Sequence, residues 1–313
     1  MRIKHLQPWV LIPALLLAPT TTSGDARQQP SISQAADFIS WRPIIWVSGR
    51  AVLEVPVRFD GISAKCSMQL DTAVWTTQLR GDPRLIEQRY GQTGAPPKTV
   101  PLSGEIAGCP FGTSFPVFRR GIPGADLEGN VLIGTLGSDF LRNRILLLDF
   151  IRQRVAILPE GNGLPPEIVS AAEFLPMSVQ HGQLFIPLSI NGKLNYGYMY
   201  DSGSSLAALI TTRSRWQKLT GRTGDEPENE RKIGSTWGQR SVFVGAPLQG
   251  VLRIGPAALQ QPTIEFEATG LPNFDFDRYP AQGLFGNRIF FDHYMIIVDM
   301  SMGRFGILAD GQQ

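Results

Sequence analysis

An all-β fold in two related lobes, with a cleft between them, is what this sequence predicts. Three observations carry that expectation. First, the chain repeats one pattern around an aspartate. Residues 55–61 lead through Cys66 into Asp71-Thr72-Ala73, and residues 186–192 lead through Tyr198 into Asp201-Ser202-Gly203. Second, each copy closes on a second shared block. Gly134 to Gly137 precedes an apolar run and Asp149, while Gly283 to Gly286 precedes an apolar run and Asp299. Asp71 and Asp201 stand 130 positions apart, Gly137 and Gly286 149, and Asp149 and Asp299 150, so the copies keep register. Third, 33 glycines and 24 prolines fit many short strands joined by turns better than long helices.

Taken in order, the chain opens with Arg2, Lys4 and His5, then an apolar stretch from Trp9 to Ala18, then small and polar residues. That is the order of a secretory signal over residues 1–26, with cleavage near Gly24 or Ala26, and the apolar core is too short to span a bilayer. No cysteine lies near the cleavage region, so a lipid anchor there is excluded. Residues 27–40 read as a polar lead-in. Strand signals begin near Trp41, within about twenty residues of the cleavage site, which leaves no room for a long prosegment.

The first lobe is expected over 41–162 and the second over 163–313, with the seam in the Pro/Gly cluster 159–166. Asp60-Gly61 and Asn191-Gly192 are hairpin turns between strands. The stretches 76–89 and 211–220 read as short helices or turns after each aspartate. Residues 145–148 and 295–298 are buried-strand material, and the polar run 224–232 reads as an exposed loop.

Composition bounds function. With 42% apolar and 18% charged residues the chain is an ordinary globular protein, and a net charge of +2 argues for neither nucleic acid nor an anionic membrane. There are three histidines, and His181 and His293 stand far apart without companion cysteines, so a metal site has no support. No nucleophile elbow or phosphate-binding loop is present. Cys66 and Cys109 both fall in the first half. They are candidates for a disulfide in an oxidising compartment, or two small buried hydrophobes on neighbouring strands.

Leu70-Asp71-Thr72-Ala73 and Tyr200-Asp201-Ser202-Gly203 resemble the D-[TS]-G signature of the pepsin-like and retropepsin-like aspartic proteases. The blocks at Gly134/Gly137 and Gly283/Gly286 resemble that family's hydrophobic-hydrophobic-glycine element. The resemblance covers roughly residues 50–310. It implies a bilobal acid-protease fold, each lobe a Greek-key-like barrel, with the active cleft between them. It implies Asp71 and Asp201 as a catalytic pair, and Thr72 and Ser202 as hydroxyls that hydrogen-bond across the lobes.

Two departures stand out. Ala73 replaces glycine: its N–H survives, but its methyl crowds the cleft or disfavours a glycine-type φ. Val74 replaces a hydroxyl that Ser204 retains, an inequality that places the anion on Asp201 and the proton on Asp71. Flap candidates are the segments around Tyr90 (residues 90–94) and Trp237 (residues 234–238).

The expected function is an aspartic endopeptidase, using water activated by the pair and no cofactor. It would act as a secreted or periplasmic monomer on peptide or protein substrates, with no nucleic acid and no integral membrane segment after signal removal. A non-catalytic peptide- or ligand-binding protein of the same fold is the alternative, motivated by Ala73.

Overall fold

The two apolar runs nearest the ends of the halves become neighbouring strands. In the computed structural model, Ile145–Asp149 and Tyr294–Asp299 pair antiparallel, with Leu147 opposite Ile297. These two residues are 150 positions apart, the same spacing as Asp149 and Asp299. The pairing is therefore isologous, and a pseudo-two-fold axis passes through the Leu147–Ile297 pair. Each strand continues into its own hairpin partner, Arg154–Leu158 or Arg304–Ala309, and then an outer strand, Arg42–Pro43 or Glu173–Pro176. The result is one six-stranded sheet to which each half contributes three strands.

The later aspartates serve these hairpins. Asp149 accepts from the Arg152 N–H at 3.0 Å and from Arg154 Nε at 2.8 Å. Asp299 accepts from the Met302 N–H at 3.1 Å and from Arg304 Nε at 2.8 Å. The Arg154 guanidinium lies 4.2 Å from the Trp41 ring centroid and that of Arg304 4.1 Å from Phe174. Pro43 faces Arg154 and Pro176 faces Arg304. The duplication therefore starts with Trp41-Arg42-Pro43 against Phe174-Leu175-Pro176, earlier than the sequence pattern reveals.

The structure describes residues 39–47, 50–59, 62–79, 99–106, 108–116, 126–127, 130–205, 207–236, 239–276 and 281–309. The expected leader, most of the lead-in, Asp60-Gly61, Tyr90 and Trp237 lie outside them. Among the described residues strands carry nearly all regular structure, with α-helices only at Pro166–Ala171 and Arg213–Thr220.

Above the shared sheet, the first half forms a sheet in the order Gln78–Leu79, Asn130–Leu136, Ile62–Leu70, Arg50–Phe59, Thr99–Ile106, Cys109–Pro116. The second half splits its strands between an eight-stranded and a four-stranded sheet. Among the described residues neither order closes on itself, so the closed barrels expected of the lobes are not found there. Proline supplies a reason in the second half. Gln183–Phe185 belongs to one sheet and Leu188–Ile190 to the other, and Pro187 between them has no N–H with which to continue a ladder.

Local chemistry explains the connections. Asn191 and Gly192 both have positive φ, 52° and 79°, the backbone of a two-residue hairpin turn. The helix Arg213–Thr220 begins at Thr212, whose hydroxyl accepts from the Arg215 N–H, and ends at Gly221 in the left-handed region. The Pro/Gly cluster leads into the helix Pro166–Ala171 with proline in the first turn. The polar run 224–232 departs from the loop expected of it. Its end enters the strand Glu230–Thr236, where Lys232 Nζ lies 2.9 Å from the buried carboxylate of Glu265.

Candidate active site

Each of the first aspartates sits where a strand runs out beside a parallel neighbour. Ile62–Leu70 runs parallel to Asn130–Leu136, and the Asp71 N–H donates to Leu136 O at 3.1 Å. Tyr198–Tyr200 runs parallel to Gly283–Phe285, and the Asp201 N–H donates to Phe285 O at 3.0 Å. Both loops then turn back, Val74 N–H to Asp71 O at 3.2 Å and Ser204 N–H to Asp201 O at 3.1 Å.

The glycine blocks pass directly under these turns. Ser138 N–H donates to Val74 O and Asn287 N–H to Ser204 O, each at 2.8 Å. A Cβ on Gly137 would stand 2.7 Å from Val74 O, and one on Gly286 1.9 Å from Ser204 O. Backbone has to lie on backbone here, which is why glycine recurs at both positions.

The loops meet through their hydroxyl residues. The Thr72 N–H donates to Ser202 Oγ, the Ser202 N–H donates to Thr72 Oγ1, and Thr72 Oγ1 donates to Tyr200 O, each at 3.0 Å. All of these groups are buried, so the bonds lock one loop against the other without competition from water. The Ala73 N–H donates to Asp71 Oδ1 at 3.1 Å, and the Gly203 N–H to Asp201 Oδ1 at 2.8 Å. Ala73 does not have positive φ, so its methyl costs no backbone strain and its N–H does the work of a glycine's. The two carboxyl groups are in direct hydrogen-bonding contact. Asp71 is 5% exposed, while Asp201 keeps some solvent contact although protein encloses its carboxyl.

Charge within the pair is unequal, in the opposite sense to the one the sequence suggests. Burial, and then the charge of Asp71 beside it, hold the Asp201 carboxyl well above the usual range. Asp71 also accepts from the Gln69 side-chain amide at 3.2 Å and feels the positive charge of Arg50. Both contacts favour the anion on Asp71 and the proton on Asp201. Ser204 approaches the Asp201 carboxyl with its backbone N–H, and Gln69 and Arg50 act on Asp71, groups that the comparison of Val74 with Ser204 does not include. Below Asp201, Tyr200 Oη donates to Asn287 Oδ1 at 2.6 Å, and Asn287 Nδ2 donates to Ser202 O at 2.8 Å and Ser205 Oγ at 2.9 Å. Gln69, Arg50 and Asn287 were missed in the sequence. A glutamine two residues before one aspartate, against a methionine before the other, is the signal that could have raised Gln69.

The remaining candidates divide. Tyr90 lies outside the described residues, as does Trp237, although the strands flanking Trp237 form a hairpin, Glu230–Thr236 with Gln239–Pro247. Cys109 is buried and free, its thiol donating to Ile157 O at 3.3 Å. The Cys66 side chain is not described, but Arg50–Phe59 and Thr99–Ile106 separate its strand from that of Cys109. The two cysteines are thus not on neighbouring strands, and Cys109 takes the reading of a small buried hydrophobe. Burial raises its thiol pKa, which keeps it protonated. No group of three or more His, Cys, Asp or Glu able to hold a metal occurs among the described residues.

No protein-family model matches the chain, and no curated protein matches it. Among solved structures it is similar to conglutin gamma, a basic 7S globulin from lupine seeds, with a TM-score of 0.47 and 11% identity. That overlap covers 86% of this chain and 94% of the globulin. It is similar also to basic 7S globulin from soybean, at a TM-score of 0.47 and 9% identity, over 87% of this chain and 94% of that one. Neither likeness bears on the side chains of the site.

Proposed function

We propose that the chain is an aspartic endopeptidase in which Asp71 and Asp201 act as one acid–base unit. One observation carries this reading: two duplicated loops, locked together by Thr72 and Ser202, bring two carboxyls into hydrogen-bonding contact. Like charges so close cannot both persist, so one carboxyl is ionised and the other protonated. A water between them can lose a proton to Asp71 as its oxygen attacks a peptide carbonyl carbon. Asp201 gives its proton to the carbonyl oxygen, forming a tetrahedral diol. Asp71, now protonated, then supplies the proton that the departing amine needs as the C–N bond breaks. The diol returns a proton to Asp201, and the pair regains its starting state. The apolar segment 9–18 supports action outside the cytoplasm, in the periplasm or the medium. Among the described residues no helix is long and apolar enough to cross a membrane.

The test is cleavage of a denatured, reduced protein across the acidic to neutral range. The wild type should cleave, with a bell-shaped profile that falls at low pH as Asp71 gains a proton and at high pH as Asp201 loses one. Asp71→Asn and Asp201→Asn should each lower the rate by about 10³-fold or more while remaining folded. A folded wild type that cleaves nothing but binds peptides would replace this reading with that of a binding protein. Full activity in either variant would remove the pair from the mechanism.

A further inference from the structure

The two aspartates rest on layers of opposite polarity. Under Asp71, cross-strand neighbours Gln69, Thr135 and Gln78 form a row over three adjacent strands, and all three are buried. At the duplicated positions under Asp201 stand Met199, Leu284 and Ile210, paired in the same register and equally buried. Residues on facing positions of a pleated sheet share a face, so each row is a continuous surface, one polar and one apolar. Met199, Leu284 and Ile210 belong to an apolar cluster with Phe185, Ala207, Phe276 and Ala281. The backbone hydrogen bonds of the two loops are duplicated, so the fold itself does not require this difference in polarity.

Gln69 is the member of the polar row that reaches the site. Side chains two apart on a strand point the same way, which puts its amide beside the carboxyl of Asp71. Its Nε2 donates to Asp71 Oδ2 at 3.2 Å, and Gln69 is 4% exposed. The amide fits there because Gly203 of the other lobe has no side chain. A Cβ on Gly203 would stand 2.7 Å from both Gln69 Nε2 and Asp71 Cγ. A buried amide donor is worth more to an anion than to a neutral carboxyl, so it discriminates between protonation states.

We propose that Gln69 is a positioning residue of the carboxyl pair: its amide holds the negative charge on Asp71, so that the shared proton stays on Asp201. The other groups acting on the pair point the same way or act on both states. Arg50, from Arg50–Phe59, faces Asp71 with a positive charge. The Tyr200 phenol, below Asp201, is kept neutral by burial and brings no charge to the pair. Asp71 itself raises the affinity of Asp201 for its proton. This proposal rests on the endopeptidase reading for its role in turnover, but its effect on protonation can be measured without turnover.

The experiment is a titration of Asp71 and Asp201 followed by the ¹³C shifts of their carboxyl carbons, in wild type and in two variants. Gln69→Met copies the second lobe into the first at nearly constant volume. Gln69→Met/Met199→Gln exchanges the two positions. In the wild type the lower macroscopic step should be reported chiefly by the Asp71 carbon. Gln69→Met should move that step upward by about one pH unit, and with it the acidic limb of the pH–rate profile. The exchange variant should shift part of the response to the Asp201 carbon. A lower step unchanged in folded Gln69→Met, shown by cooperative thermal unfolding, would overturn the proposal. The predicted titration shifts in a protein that cleaves no peptide would uphold the proposal and refute the endopeptidase reading.

Discussion

Asp201 couples the site to the stability of the whole chain, because its carboxyl holds a proton in the folded state that it loses readily when unfolded. Below the unfolded value near 3.9, both states are protonated and the site opposes folding least. As pH rises the unfolded chain ionises first, so stability falls until pH has passed the raised folded value. The slope from one such group is at most about 1.4 kcal/mol per pH unit. Asp201→Asn should therefore remove activity yet stabilise the protein toward neutrality, with the advantage over wild type vanishing in acid. Urea unfolding of both proteins at a series of pH values measures this, and a constant difference across the series would contradict it. Much of the site at this scale was legible. Two aspartates followed by short hydroxyl residues fix both the carboxyls and the bonds between the loops. Gln69 was not legible, because a lone polar residue in a strand means nothing until the fold sets it against Asp71 and its counterpart Met199.

At the scale of single elements, the closing hairpins depend on a buried carboxylate. Asp299 is almost fully enclosed and ties the Met302 N–H, the Ser301 hydroxyl and Arg304 into one turn. Asp299→Ala would leave those donors without their acceptor. With Arg304 partly in water, the cost should be about 2 kcal/mol. A lowered urea midpoint at unchanged m-value is expected, and no change in midpoint would show that the turn holds without the carboxylate. The apolar runs 145–148 and 295–298 announced the inner strands of these hairpins. Strand signals near Trp41 announced the first outer strand, but its counterpart Phe174-Leu175-Pro176 is too short to stand out until the sheet aligns the two. The run 224–232 misled for a related reason. Its charges suggest water, and only the fold brings Glu265, 33 positions beyond Lys232, to neutralise one of them.

For the whole molecule, duplication explains how two distant carboxyls reach one place. The lobes meet at two levels, in the sheet around Leu147 and Ile297 and in the loops around Thr72 and Ser202. Both contacts are symmetric, so aligning the lobes at one level helps to align them at the other. The bilobal plan was readable from the constant spacing of the repeats. The split of the second half between two sheets was not, because the break at Pro187 has no match in the first half, where Arg50–Phe59 runs unbroken past Pro56. Symmetry brings the carboxyls together, and the unequal layers beneath them decide which one carries the proton. A neutron crystal structure of the deuterium-exchanged protein at mildly acidic pH tests that claim most directly. A single deuteron should lie between the carboxyls, bonded to Asp201 and directed at Asp71. Two bare carboxylates, or a deuteron bonded to Asp71, would contradict it.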